Sequence, residues 1–174
     1  MSKDSIRLGN IFSVCFSELP EIEVKEIQEN ALEVMKLRYF IDLPEGEKET
    51  SFKQLCRRVS RTVAAQDINY RSVVPIQSVE NAIYNDMISH RFLFNSPALF
   101  SSGVGISSNP ELSKFLYEDN PTVENYLKMV HNKNKNQMMF ACFTISVPDS
   151  IEGIFDSVKN AAVISKFGGG VGAN

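Results

Sequence analysis

The sequence predicts an α/β chain: a mostly helical N-terminal region over residues 1–92, then a part from residue 93 to 174 that carries strands. Three observations predict it. Before residue 92, apolar residues recur at helical spacings. At "RFLFNSPALFSSGVG", Arg91 to Gly105, the texture changes to a short apolar run entering an Asn/Ser/Pro/Gly stretch. "MMFACFTISV", Met138 to Val147, is dense in β-branched and aromatic residues and leads directly into a second stretch of helical spacing.

Composition sets the class. Apolar residues make up 43% and charged residues 22% of 174 residues, an ordinary soluble balance with enough chain for a sizeable core. A net charge of −3 and the lack of a basic block argue against nucleic-acid binding. No apolar run reaches the roughly 18–20 residues of a membrane span. "MSKDSIRLGN" lacks the apolar core of a signal peptide, so the expected compartment is the cytoplasm. Cys15, Cys56 and Cys142 are too few and too dispersed for a disulfide framework or a zinc site, and no metal constellation is expected.

The elements follow in order. Glu21 to Tyr39 reads as an amphipathic helix, broken by Pro44 and Gly46. Thr50 or Ser51 caps a second helix. Phe52, Leu55, Cys56, Val59, Val63 and Ala64 form its apolar stripe, and Lys53, Arg57, Arg58 and Arg61 its expected wet face. Cys56 is read as a core residue. A third helix runs from Gln77 or Ser78 to Ser89. A strand entering a loop is expected at Arg91 to Gly105, then a polar excursion over about 105–137 with Asn109 and Thr122 as caps. After the strand at Met138–Val147, Asp149 is a good N-cap for a helix, with Glu152 close to a capping box and Gly168 as its stop.

The chemical candidates begin with "FGGGVGAN". Gly168 to Ala173 formally matches a dinucleotide fingerprint, but it follows a helix rather than a strand, and no Lys-Ser/Thr completes a P-loop. A helix cap needs one glycine, so four point to close backbone approach to a ligand. Cys142, mid-strand between Ala141 and Phe143, reads on its own as inert core. Ser96, in Asn95-Ser96-Pro97, is either a turn residue or a hydroxyl for a phosphate or sugar oxygen. Asp149 is most simply a cap. The amides from Ser150 onward could favour an anion, whereas Asp149 itself suits a sugar hydroxyl.

Taken together, "ENALEVMKLRYFI", "SFKQLCRRVSRTVA", "FLFNSPALFSSG" and "ACFTISVPDSIEGIFDSVKNAAVISKFGGGVG" resemble the N-terminal part of the ribonucleotide reductase large chain, most closely its adenosylcobalamin-dependent branch. The resemblance runs from about Asn30 to Asn174 and is weakest over 105–137. It implies a helical region followed by the first part of a ten-stranded α/β barrel, here incomplete. It implies that Cys142 is one thiol of the redox pair, that Ser96 touches substrate phosphate, and that Ala141, Cys142 and Gly170 line the ribonucleotide. Asp149 and Ser150 fall in the element that contacts the allosteric dNTP and contributes to a homodimer interface.

Adenosylcobalamin, a dNTP or ATP effector, a thioredoxin-like reductant and the remainder of the reductase chain are the implied cofactors and partners. The thiyl-radical cysteine and the partner of Cys142 fall beyond the matched region. The isolated chain, split or truncated, is therefore expected to be inactive and to self-associate. Two other readings stay open from sequence: a non-catalytic nucleotide-binding or regulatory module, and a helical interaction domain.

Overall fold

The computed structural model describes residues 26–70, 74–132 and 139–174. Helix α1 spans Glu29–Arg38. The sequence reading began it eight residues earlier. Residues 26–28 are not helical because Gln28 holds an extended backbone, and residues 21–25 lie outside the described set. Helix α2, Phe52–Ala64, starts where Ser51 accepts from the Gln54 N–H and the Gln54 side chain accepts from the Ser51 N–H. That reciprocal box satisfies two otherwise orphaned helix-end donors. Helix α3 covers Ile76–Ile88. Phe40, Phe52, Leu55, Cys56, Val59, Met87, Ile88 and Leu99 form the main core between these helices.

The expected wet face of α2 is half wrong. Arg58 and Arg61 are fully buried. Arg58 forms a two-pronged pair with Glu49, Nε to Oε1 at 2.8 Å and Nη2 to Oε2 at 2.9 Å. Arg61 does the same with Glu80, Nε to Oε2 at 2.9 Å and Nη2 to Oε1 at 2.8 Å. Buried charges persist only when paired and fully hydrogen-bonded. Among the described residues no buried side-chain polar atom lacks a partner.

The short apolar run expected as a strand from Arg91 is irregular as far as Asn95, and the loop expected after it is instead helix α4, Ser96–Ser101. The Asn95 side chain accepts from the Ala98 N–H at 3.1 Å, and Pro97 in the first turn has no N–H to satisfy, so turn residues here start a helix. The excursion then folds as α5 (Val104–Ser107), α6 (Pro110–Ser113) and α7 (Val123–His131), with Asn109 and Thr122 capping as expected. It is fastened to the helical layer through the buried pairs. Tyr117 donates to Glu49 at 2.9 Å, Tyr126 donates to Glu80 at 2.6 Å, and Arg61 donates to the Phe115 carbonyl.

Strand β1 is Cys142–Ile145, helix α8 is Ile151–Lys166 and strand β2 is Gly170–Ala173. The strands pair in parallel, making one β-α-β unit, and the sheet is not closed. The cap of α8 is Ser150, whose hydroxyl accepts from the Gly153 N–H at 3.1 Å, and not Asp149. Gly168 sits at φ +85°, the left-handed stop a glycine makes without strain. The glycine-rich end reads as a loop in sequence and is a strand in the fold, because β1 supplies hydrogen-bond partners that side-chain propensity does not report.

Candidate functional site

Paired residues in a parallel ladder point to the same side of the sheet, and alternate residues along a strand to opposite sides. Here Cys142 pairs with Gly170, Phe143 with Val171 and Thr144 with Gly172. Phe143 lies on the α8 side. A Cβ placed on Gly169 would come within 2.6 Å of Ile164 Cγ2 and 2.8 Å of the Phe143 ring, so helix and strand meet there with no room to spare. Cys142, Thr144, Gly170 and Gly172 therefore share the opposite, helix-free face. Cys142 is exposed, which overturns its reading as inert core.

Glycine is not demanded by packing at Gly170 or Gly172. A Cβ at Gly170 would meet only the Ala141 carbonyl oxygen at 3.5 Å, and one at Gly172 only the Phe143 carbonyl oxygen at 4.0 Å. Their smallness keeps the surface over the sheet low beside the thiol. The Gly170 N–H donates to the Ala141 carbonyl at 2.7 Å, which joins Ala141 to the same place.

Ser96 is exposed at the start of α4, and its hydroxyl lies 3.1 Å from that of Tyr39. The far end of α4 approaches the sheet entry, with Ser102 Oγ 3.5 Å from Met139 Sδ, three residues before Cys142. Asp149 and Ser150 sit beyond the exit of β1, at the other end of the strands. The three steps from Cys142 to Ile145, at about 3.3 Å each, separate the two ends by roughly 10 Å. The structure thus gathers Ala141, Cys142 and Gly170, touches the sheet entry with the end of α4 opposite to Ser96, and leaves Asp149 and Ser150 beyond the other end of β1.

Sequence reasoning missed Thr144, Tyr39 and the side of the sheet taken by Gly172, one of its four candidate glycines. The period-two rule applied from Cys142 finds the first of these. The other two need the strand pairing and the tertiary fold. Cys56 is enclosed in the core, and burial above all pushes its thiol up to about 12, so it stays protonated at neutral pH. A cavity of about 480 Å³ between α2 and α7 is lined by Thr62, Val63, Gln66, Asp67, Met129 and Met139, and Cys142 is not part of it. Among the described residues no group of His, Cys, Asp and Glu is placed to hold a metal, and no helix is long and apolar enough to cross a membrane.

A helical layer leading into one parallel β-α-β unit makes this an α/β chain whose open sheet is consistent with the start of an α/β barrel. Residues 25–107 match the family model described as the ribonucleotide reductase all-alpha domain, and residues 140–174 that of the ribonucleotide reductase barrel domain. These two matches, in this order and together spanning more than half of the sequence, show that the chain belongs to the ribonucleotide reductase large-chain family.

It is 43% identical over 44 residues to the ribonucleoside-diphosphate reductase subunit alpha of Helicobacter pylori, covering 25% of this chain and 6% of that one. It is 28% identical over 151 residues to the vitamin B12-dependent ribonucleotide reductase of Streptomyces coelicolor, covering 83% and 12%. To the ribonucleoside-diphosphate reductase large chain of Schizosaccharomyces pombe it is 33% identical over 101 residues, covering 56% and 9%. The chain thus spans no more than 12% of the length of these relatives.

Proposed function

We propose that this chain supplies one wall of the substrate site of a ribonucleotide reductase, with Cys142 as one of its two reducing thiols. The observation that carries this reading is the Cys142 thiol, exposed on the helix-free face of a parallel sheet beside Gly170. In a barrel that face is the interior, where a ribose can lie against sulfur with water excluded. The overall step balances with two thiols. Together they give two electrons and two protons, the ribose loses its 2′-hydroxyl as water, and a disulfide remains. A thioredoxin-like dithiol returns it to the reduced state. The second thiol comes from polypeptide beyond these residues.

In this reading the helical region through residue 92 is scaffold, and the part from residue 93 carries the substrate contacts. Ser96 takes a phosphate oxygen, Ala141 and Gly170 leave room for the sugar, and Asp149 and Ser150 belong to a separate effector region for a dNTP or ATP. A homodimer in the cytoplasm completes the expectation. Adenosylcobalamin, expected of the B12-dependent relatives' branch, supplies the initiating radical when bound. None of the roles given to Ser96, Ala141, Cys142 and Gly170 depends on it.

The test is the assembly purified from its source through a tag on this chain, assayed for deoxyribonucleotide formation. Cys142→Ser is expected to abolish multiple turnover supported by a dithiol reductant. Turnover at the wild-type rate in that variant would rule the assignment out.

A further inference from the structure

A serine hydroxyl in a short helix commonly turns back to the carbonyl four residues earlier. Ser101 does this to Pro97, and Ser102 to Ala98 at 2.6 Å. Ser96 does not. Its hydroxyl meets the Tyr39 hydroxyl at 3.1 Å, from 57 residues away.

Tyr39 is itself held. Its N–H donates to the Met35 carbonyl at 2.9 Å, and its carbonyl accepts from Arg58 Nη2 at 2.9 Å. The same buried guanidinium donates through Nη1 to the carbonyls of Leu99, at 3.1 Å, and Ser102, at 2.6 Å, near the end of the helix that Ser96 begins. One fixed cation thus sets both the residue presenting the phenol and the helix presenting the serine.

Two hydroxyls carry two protons, and their mutual bond uses one. When Tyr39 donates to Ser96 Oγ, the serine proton must point away from Tyr39, toward the exposed side. A phosphate oxygen only accepts, so a single aimed donor is what it needs, and donation from the phenol polarises that donor further.

We infer that Tyr39 is a positioning residue that orients the Ser96 hydroxyl toward substrate phosphate. This rests on the reductase reading above.

The purified assembly is assayed as Tyr39→Phe, Ser96→Ala, Ser96→Thr and the Tyr39→Phe/Ser96→Ala pair. Phe keeps the ring, and the thermal midpoint of each variant checks the fold. Tyr39→Phe is expected to raise the KM for ribonucleotide about fivefold, as loss of one hydrogen bond does, with kcat unchanged. Ser96→Ala should raise it about tenfold or more. The pair should be no worse than Ser96→Ala alone, and Ser96→Thr, which keeps a hydroxyl, should stay close to wild type. Inorganic pyrophosphate, used as a competitive inhibitor, should weaken in the same proportions.

An unchanged KM in Tyr39→Phe, or effects that multiply in the pair, would overturn the inference and leave the reductase reading standing. A Tyr39→Phe variant that lowers the thermal midpoint and raises KM while Ser96→Ala leaves KM at wild type would also overturn it. A wild-type assembly that forms no deoxyribonucleotide would overturn the reductase reading itself.

Discussion

Adjacent glycines can serve different ends. Gly169 is squeezed between Ile164 and Phe143, so Gly169→Ala is expected to lower stability by about 1–3 kcal/mol through overpacking. A Cβ at Gly170 would make only an ordinary contact, 3.5 Å from the Ala141 carbonyl oxygen, so Gly170→Ala should change stability by no more than about 0.5 kcal/mol, while its methyl intrudes where the proposed ribose lies. Urea unfolding and turnover measured on both variants separate the two roles. The thiols divide in the same way. In the folded protein iodoacetamide should label Cys142 and spare Cys56 until denaturant is added, as read by peptide mass spectrometry, because one is exposed and the other enclosed. Residues such as Cys142 were legible as chemistry only through the run that surrounds them. Its exposure was not legible, because the side of a strand left uncovered is decided by where the following helix packs.

Among the elements, α2 was readable because its apolar spacing is regular and Ser51 caps it, and α3 from its spacing, since Pro75 before it makes no side-chain cap. The buried arginines of α2 were not, since their carboxylates come from elsewhere: Glu49 from a loop and Glu80 from α3. Burial pushes the Glu80 carboxyl up, but hydrogen bonds from Arg61 and Tyr126 and the Arg61 charge outweigh it and hold it below its ordinary 4.5. A carboxyl depressed in the folded state adds stability that is present above that ordinary value and is lost as pH falls through the folded value. Glu80→Gln should therefore lower the urea midpoint at pH 7 and flatten its decline between pH 5 and pH 3, windows set about the ordinary carboxylate range. At α8, Ser150→Ala should cost about 1 kcal/mol and Asp149→Ala much less, since the serine makes the cap. Thermal melts of the two variants decide it. The sequence reading favoured Asp149 because both residues are good caps one position apart, and the choice between them is settled by which backbone turns first.

On the scale of the whole molecule, two parts differ in how they are covered. The helical layer encloses a core of its own, with Leu37 and Tyr70 left outside it, whereas α8 leaves Ile151, Phe155 and Val158, and Phe167 just after it, more than half exposed. The isolated chain is expected to self-associate through such surface, and multi-angle light scattering that returned a monomer across a hundredfold concentration range would contradict this. In the helical half the positions of α2 and α3 were legible from spacing, while the start of α1 and the burial of Arg58 and Arg61 were not. The parallel pairing of β1 with a glycine-rich β2 was not, because it depends on contacts across an intervening helix.

The buried arginine of α2 has a further consequence for folding. Arg58 reaches Tyr39, Glu49, Leu99 and Ser102, and Tyr117 reaches it through Glu49. Until all four segments arrive, an intermediate carries a charge that is either unpaired or still in water, so partly assembled layers are disfavoured. The helical layer should open as a single unit in native-state hydrogen exchange, its amides sharing one large opening free energy. The β1–β2 amides, with no such knot, should exchange earlier and independently.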